Sequence, residues 1–145
     1  NPEYLRNEAT EQGGVIDYRD WQIPLGRRFR ALKLWLTLYT EGAGELRSTI
    51  RKHISLSQDL AQKLSQLDVE VLAPQTLGLV AFAAKDNQTT EELQQRINHS
   101  RKTWLTHAEI GGRRWIRIAV GAWRTEECHL DLLYSEIESA LKSVG

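Results

Sequence analysis

The 145-residue chain carries 19 basic and 19 acidic side chains, so its overall charge offers no pull towards nucleic acid, an anionic membrane surface or a polyanionic substrate. That length suits one domain, or a small domain with a strip of a neighbour, and leaves no room for two full cores. A single cysteine, Cys128, excludes an intramolecular disulfide framework and a cysteine-rich zinc site; it points to a reducing compartment, with the cytoplasm as the expectation.

The opening NPEYLRNEATEQGG has neither apolar periodicity nor a charged-then-apolar leader, and it starts on Asn1, from which a boundary made by truncation or cleavage is expected. Residues 1–28 hold two of the three prolines and sustain no helical or alternating pattern, which predicts extended or loop structure. Phe29 to Thr40 is apolar almost all round, with Phe29, Leu32, Trp35, Leu36 and Tyr39 in one stripe and Leu34 and Leu38 off it. Such a helix wants protein on most sides.

Gly42-Ala43-Gly44 is expected to stop that helix before a second, Glu45 to Leu67, in which Leu46, Ile50, Ile54, Leu60, Leu64 and Leu67 keep helical spacing. Two β-type runs follow, Val69 to Leu72 and Leu77 to Ala84, separated by a turn at Ala73-Pro74-Gln75 and expected to pair antiparallel. Thr89 with Glu92 forms the pattern of a capping box, predicting a helix from Thr90 to about Lys102 that buries Leu93, Ile97 and, at its end, Trp104. Trp104 to Ile110 and Arg113 to Gly121, joined by Gly111-Gly112, read as a β-hairpin. Thr125 is the expected cap of a last helix whose buried face is Leu130, Leu133, Ile137, Ala140, Leu141 and Val144. From Gly44 onward the order describes an α+β unit with helices on one face of an antiparallel sheet.

The densest cluster of chemistry is DYRDWQIPLGRRFRALK, residues 17–33. Tyr18, Arg19, Trp21, Arg27, Arg28 and Arg30 stand there beside Pro24 and Gly26. Aromatics and arginines concentrated in a loop point to function, because core packing does not demand them there. A charged surface loop anchored by Trp21 is the bland alternative, and phosphate and base gripping by the same residues is a second, opposed by the balanced charge. Arg117, between apolar neighbours in WIRIAV, either snorkels to the rim of the sheet or holds a carboxylate with its planar fork. The four histidines are dispersed without metal-ligand spacing, and Cys128 is expected to be a packed or passive thiol.

The run YLRNEATEQGGVIDYRDWQIPLGRRFRALKLW, continued by LRSTIRKHISLSQDL, LGLVAF, RIN and RIAVGAWRTEE, closely resembles the group II pyridoxal-phosphate-dependent amino-acid decarboxylases, above all those acting on aromatic L-amino acids. The resemblance covers the whole chain and is most specific in DWQIPLGRRFRALKLW, residues 20–35. It implies the fold type I, aspartate-aminotransferase-like architecture. Residues 1–42 would be the tail of an α/β large domain that includes a mobile catalytic loop at about 13–26, and residues 43–145 the C-terminal small domain.

It further implies an obligate homodimer, an amino-acid substrate and pyridoxal 5'-phosphate as cofactor. The Schiff-base lysine and most of the phosphate cup would lie upstream, since Lys33 and Lys52 fall on helices beyond the lysine motif. The chain alone is therefore expected to be inactive. By the same resemblance Tyr18 matches the loop tyrosine that closes over the substrate of the partner subunit and donates a proton. Gly26 stands where histidine-specific relatives carry serine and so leans towards a bulkier aromatic substrate. Arg117 matches an arginine on a small-domain strand that meets substrate or loop. Neither nucleic acid nor membrane is an expected partner. A free-standing α+β interaction or dimerisation module derived from such an enzyme is the alternative.

Overall fold

The structure, a computed structural model, describes residues 29–144. The chain divides after Thr40 into two units. In the first, helix α1 spans Ala31–Thr40, close to the expected Phe29–Thr40. Thr37 and Thr40 donate their hydroxyls to the carbonyls of Lys33 and Leu36, which satisfies those groups within the helix itself. Trp35 and Tyr39 stack one turn apart with ring centroids at 5.2 Å. Phe29, Leu32, Leu34, Trp35, Leu36, Leu38 and Tyr39 are all exposed.

The second unit begins with helix α2, Gly42–Leu64. The glycines expected to stop a helix instead form the first turn of this one. N–H groups of a first turn have no intrahelical partner in any case, so the poor helix propensity of glycine costs little there. Gly42, at φ +79°, adopts the left-handed conformation that glycine takes without steric cost. Twenty-three residues make a helix of about 35 Å. Its second half is buried through His53, Ser57, Leu60, Ala61 and Leu64, whereas Ile50, expected on the same stripe, is 54 % exposed. The helix stops three residues short of Leu67 because tight turns take over, with the N–H groups of Gln66 and Leu67 donating to the carbonyls of Lys63 and Leu64.

Strand β1 is only Glu70–Val71, and β2 is Leu79–Ala83. They pair antiparallel, Glu70 opposite Ala83 and Val71 opposite Phe82, as the sequence led us to expect. The run expected from Leu77 starts later because Leu77 sits at φ +56°, outside the β region. Helix α3 spans Asn87–His99. Its cap is Asp86 and not Thr89: the Asp86 carboxylate accepts the Thr89 N–H at 2.7 Å. Thr90, fully buried, is used differently again; its hydroxyl donates to the Asp86 carbonyl and accepts the Ala84 N–H, tying the end of β2 to the start of α3.

Trp104 does not close the core at the end of this helix; it is 78 % exposed, and Leu105 is the buried residue. The Asn98 side chain accepts the Leu105 N–H at 2.7 Å and donates to its carbonyl at 3.0 Å, and Gln94 donates to that carbonyl too. Locked in that way, the backbone turns Leu105 inward and its neighbour outward.

Strands β3, Thr106–Ile110, and β4, Arg113–Ala119, form the expected hairpin. Gly111 and Gly112 both have positive φ, +61° and +77°, the signature of a two-residue type I′ turn. Helix α4 spans Glu127–Val144. No hydrogen bond from the Thr125 hydroxyl caps it; the Glu126 N–H donates instead to Nδ1 of His129, while the His129 N–H returns to the Glu126 carbonyl. The imidazole thus supplies the returning arm of a capping box, while the forward bond is made by the Glu126 carbonyl and not by its side chain.

The sheet order is β1-β2-β4-β3, all antiparallel. Val80, Phe82, Ile116 and Ile118 face one way and join Leu60, Leu64, Leu93, Ile97, Leu130, Leu133 and Ile137 in one core, so all three helices of this unit cover one face. Alternate residues make a separate small cluster on the other face, Ala81, Ala83 and Trp115 with Leu72.

Candidate functional site

Tyr18 and Gly26 lie outside the described residues, as does the whole expected loop at 13–26. Arg117 is described, in the middle of β4 opposite Ala81 on β2 and Thr106 on β3. Its neighbours Ile116 and Ile118 point into the helix-covered core, so Arg117 belongs with Trp115 to the opposite face. It is partly exposed and borders a cavity of about 370 Å³ together with Thr103, Trp104, Ala119 and His129.

Two further arginines on the same strand were not singled out by sequence, and both are engaged. Arg113 donates to the Ala84 carbonyl at 3.0 Å, pairs with Glu70 at 2.5 Å, and lies over the Trp115 ring with its guanidinium carbon 5.0 Å from the centroid. Arg114 reaches Gln94 at 3.2 Å, His107 Nδ1 at 3.1 Å and Glu91 at 3.5 Å. Among the described residues Arg117 has no comparable partner. Alternation along WIRIAV could place it on a face; only the strand pairing shows which one.

Asn87 is a second residue the sequence did not flag. Its side chain donates to the Gly112 carbonyl at 3.0 Å and accepts the Arg114 N–H at 2.9 Å, fastening the hairpin turn to the start of α3. Cys128 is exposed in the first turn of α4 and is therefore not a packed thiol. Among the described residues no group of three or more histidine, cysteine, aspartate or glutamate side chains is arranged to hold a metal ion, and no helix is long and apolar enough to cross a membrane.

A covalently held aldehyde cofactor requires a lysine that can shed its proton in a sheltered site. Lys63 does the reverse: its hydrogen bond to Asp131, 2.7 Å away, raises its pKa and holds it as ammonium. Lys52 pairs with Glu126 at 2.6 Å, Lys102 with Glu136 at 2.7 Å and Lys142 with Glu138 at 2.9 Å. Those contacts lower the Glu126 and Glu136 pKa values through hydrogen bonds from Lys52 and Lys102 respectively. Lys33 and Lys85 are exposed. The described lysines thus offer no sheltered amine for that aldehyde.

The fold recurs in a solved tryptophan decarboxylase. The Oryza sativa enzyme with pyridoxal phosphate and tryptamine superposes with a TM-score of 0.75 at 31 % identity, over 99 % of this chain and 32 % of that one. The class defined is thus that of the fold type I pyridoxal-phosphate enzymes, of which this chain holds an α+β portion. Residues 1–85 match the pyridoxal-dependent decarboxylase conserved domain. Tryptophan decarboxylase 2 of Oryza sativa subsp. japonica is 41 % identical over 155 residues, covering 100 % of this chain and 31 % of the relative. The 3,4-dihydroxyphenylacetaldehyde synthase of Drosophila melanogaster is 44 % identical over 140 residues, covering 95 % of this chain and 28 % of the relative. The chain belongs to the pyridoxal-dependent decarboxylase family, and it spans less than a third of the length of these relatives.

Proposed function

We propose that the chain supplies the catalytic-loop segment and the C-terminal small domain of a cytoplasmic, homodimeric carboxy-lyase that converts an aromatic L-amino acid to its amine. The observation that carries this reading is the match along its entire length to tryptophan decarboxylase 2, joined to the fold shared with the tryptamine-bound enzyme. Residues 1–42 would close the large domain, which would also cover the apolar surface of α1 and carry the cofactor.

Loss of carbon dioxide leaves an electron pair on the α-carbon, and a proton must reach that carbon if an amine is to form. A phenol, with an ordinary pKa of about 10, holds its proton at neutral pH and can deliver it once a lid has excluded water. Tyr18 takes that role in this reading, Gly26 leaves room for the aromatic ring, and Arg117 holds a carboxylate or the closed loop. The named relatives include both a decarboxylase and an aldehyde synthase. An aldehyde carbon is two electrons more oxidised than the amine carbon. In this reading aldehyde therefore forms, with release of ammonia, only where an oxidant such as dioxygen reaches the α-carbon before the proton does.

The test is made in the complete enzyme. Tyr18→Phe and, in parallel, Tyr4→Phe are assayed for carbon dioxide, amine and aldehyde. Tyr18→Phe should lose amine by at least 100-fold while carbon dioxide release falls less. Unchanged amine yield in Tyr18→Phe removes it as the acid; if Tyr4→Phe loses the amine instead, the donor is Tyr4 and the decarboxylase reading stands. Absence of carbon dioxide release from any aromatic amino acid overturns the reading itself.

A further inference from the structure

Asn87, Glu91, Gln94 and Asn98 share one stripe of α3, at i, i+4, i+7 and i+11, and each of them reaches the β3–β4 hairpin. Asn87 holds the turn and the Arg114 N–H, and Glu91 and Gln94 meet the Arg114 guanidinium. Asn98 acts at the opposite end, where the hairpin opens.

Ile110 and Arg113 flank the two-residue turn and so form the closing hydrogen-bonded pair of the hairpin. Bonded and unbonded pairs alternate from there, which makes Thr106 and Arg117 a bonded pair, the last of this ladder. Leu105, one residue earlier, turns its N–H and C=O away from β4. It is buried, so both groups need a partner from within the protein. The Asn98 carboxamide accepts that N–H at 2.7 Å and donates to that carbonyl at 3.0 Å, as a residue of a neighbouring strand would. Gln94, itself buried, donates to the same carbonyl at 3.0 Å.

Thr103, Trp104, Leu105 and Thr106 form one wall of the cavity that Arg117 borders. The clamp on Leu105 thus fixes both that wall and the strand end paired with Arg117. We infer that Asn98, assisted by Gln94, is a positioning residue for Arg117: it holds the wall against which the guanidinium lies and so gives that side chain one direction. The inference rests on the reading in which Arg117 holds a carboxylate or the closed loop. Strand β4 is paired with β2 on its other side, so loss of the clamp leaves the Arg117 backbone in the sheet and frees the wall beside it.

The test is made in the complete enzyme with Asn98→Ala, Arg117→Ala and the double variant, reading kcat/KM for carbon dioxide release from an aromatic amino acid. Asn98→Ala should lower kcat/KM about tenfold and Arg117→Ala by at least as much. The double variant should match Arg117→Ala within about twofold, because the carboxamide then has no guanidinium to direct. Gln94→Ala spares the Asn98 pair and keeps the question answerable if Asn98→Ala does not fold. Its smaller loss, about threefold, should likewise vanish in the Arg117→Ala background. Circular dichroism on each variant confirms the fold.

A merely structural role, in which part of the enzyme is unfolded, lowers kcat/KM by the same factor in both backgrounds, and that result overturns the inference alone. Unchanged kinetics in Arg117→Ala removes Arg117 from the proposed site and the inference with it. Absence of carbon dioxide release from the parent enzyme overturns the decarboxylase reading on which both stand.

Discussion

Gly78, just before β2, lies against the Val120 backbone just after β4, and replacing it by alanine tests that close approach directly. An added Cβ would overlap the Val120 carbonyl oxygen, with the His53 Cβ 3.8 Å away on another side. The obstacle is main chain, which cannot swing aside as a long side chain does. The Val120 N–H also donates to the Gly78 carbonyl at 2.7 Å, so opening the contact lengthens that bond. Overpacking of this kind costs about 1–3 kcal/mol and a lost hydrogen bond about 1 kcal/mol, giving roughly 2–4 kcal/mol in all. With a urea dependence of about 2 kcal/mol per molar, the midpoint should fall by roughly 1–2 M. Gly121→Ala is the control, since a Cβ there meets nothing within 4 Å; its midpoint should stay or rise slightly. Equal midpoints for Gly78→Ala and the parent chain would refute the close approach.

Phe82 is fully buried in the main core, and Phe82→Ala should cost about 3–5 kcal/mol by the same urea measurement. Trp104→Ser, by contrast, removes a side chain 78 % exposed and should shift stability by no more than about 0.5 kcal/mol; a larger loss would mean that Trp104 is packed after all. Asp86 has its pKa lowered chiefly by the Thr89 backbone N–H, so its cap stabilises above the ordinary carboxylate range and is lost as pH falls through the depressed value. Asp86→Asn keeps an acceptor at neutral pH but should flatten stability against pH below about pH 4, which thermal melts across that range would detect as a changed acid limb.

Much of the fold was legible because single residues carried local rules. Gly111-Gly112 fixed the hairpin, since glycine readily takes the positive φ values of the two-residue turns whose twist matches the strands they join. Asp86 and Thr89 show the limit: both fit a capping pattern, and only the extended backbone of Asp86, at φ −147° and ψ 171°, decides which side chain is free to accept. Trp104 was misplaced because periodicity cannot see that Asn98 and Gln94 grip the next residue's backbone. The pairing of β2 with β4 carries no local signature at all. In the candidate site, Arg117 could be assigned to a strand but not to a face, and the family resemblance of Tyr18 and Gly26 rests on residues outside the described part of the chain.

The placing of β2 beside β4 also has a consequence for biosynthesis. Ala81 finds Arg117 only after α3 and the first arm of the hairpin have been made. At about 5–20 residues per second, the ribosome needs roughly 2–7 s to supply that partner. During this interval Val80 and Phe82, both fully buried at the end, belong to a nascent strand whose main neighbour does not yet exist. Slow translation between residues 84 and 113 would lengthen the time for which that strand is open to chaperones or to other nascent chains.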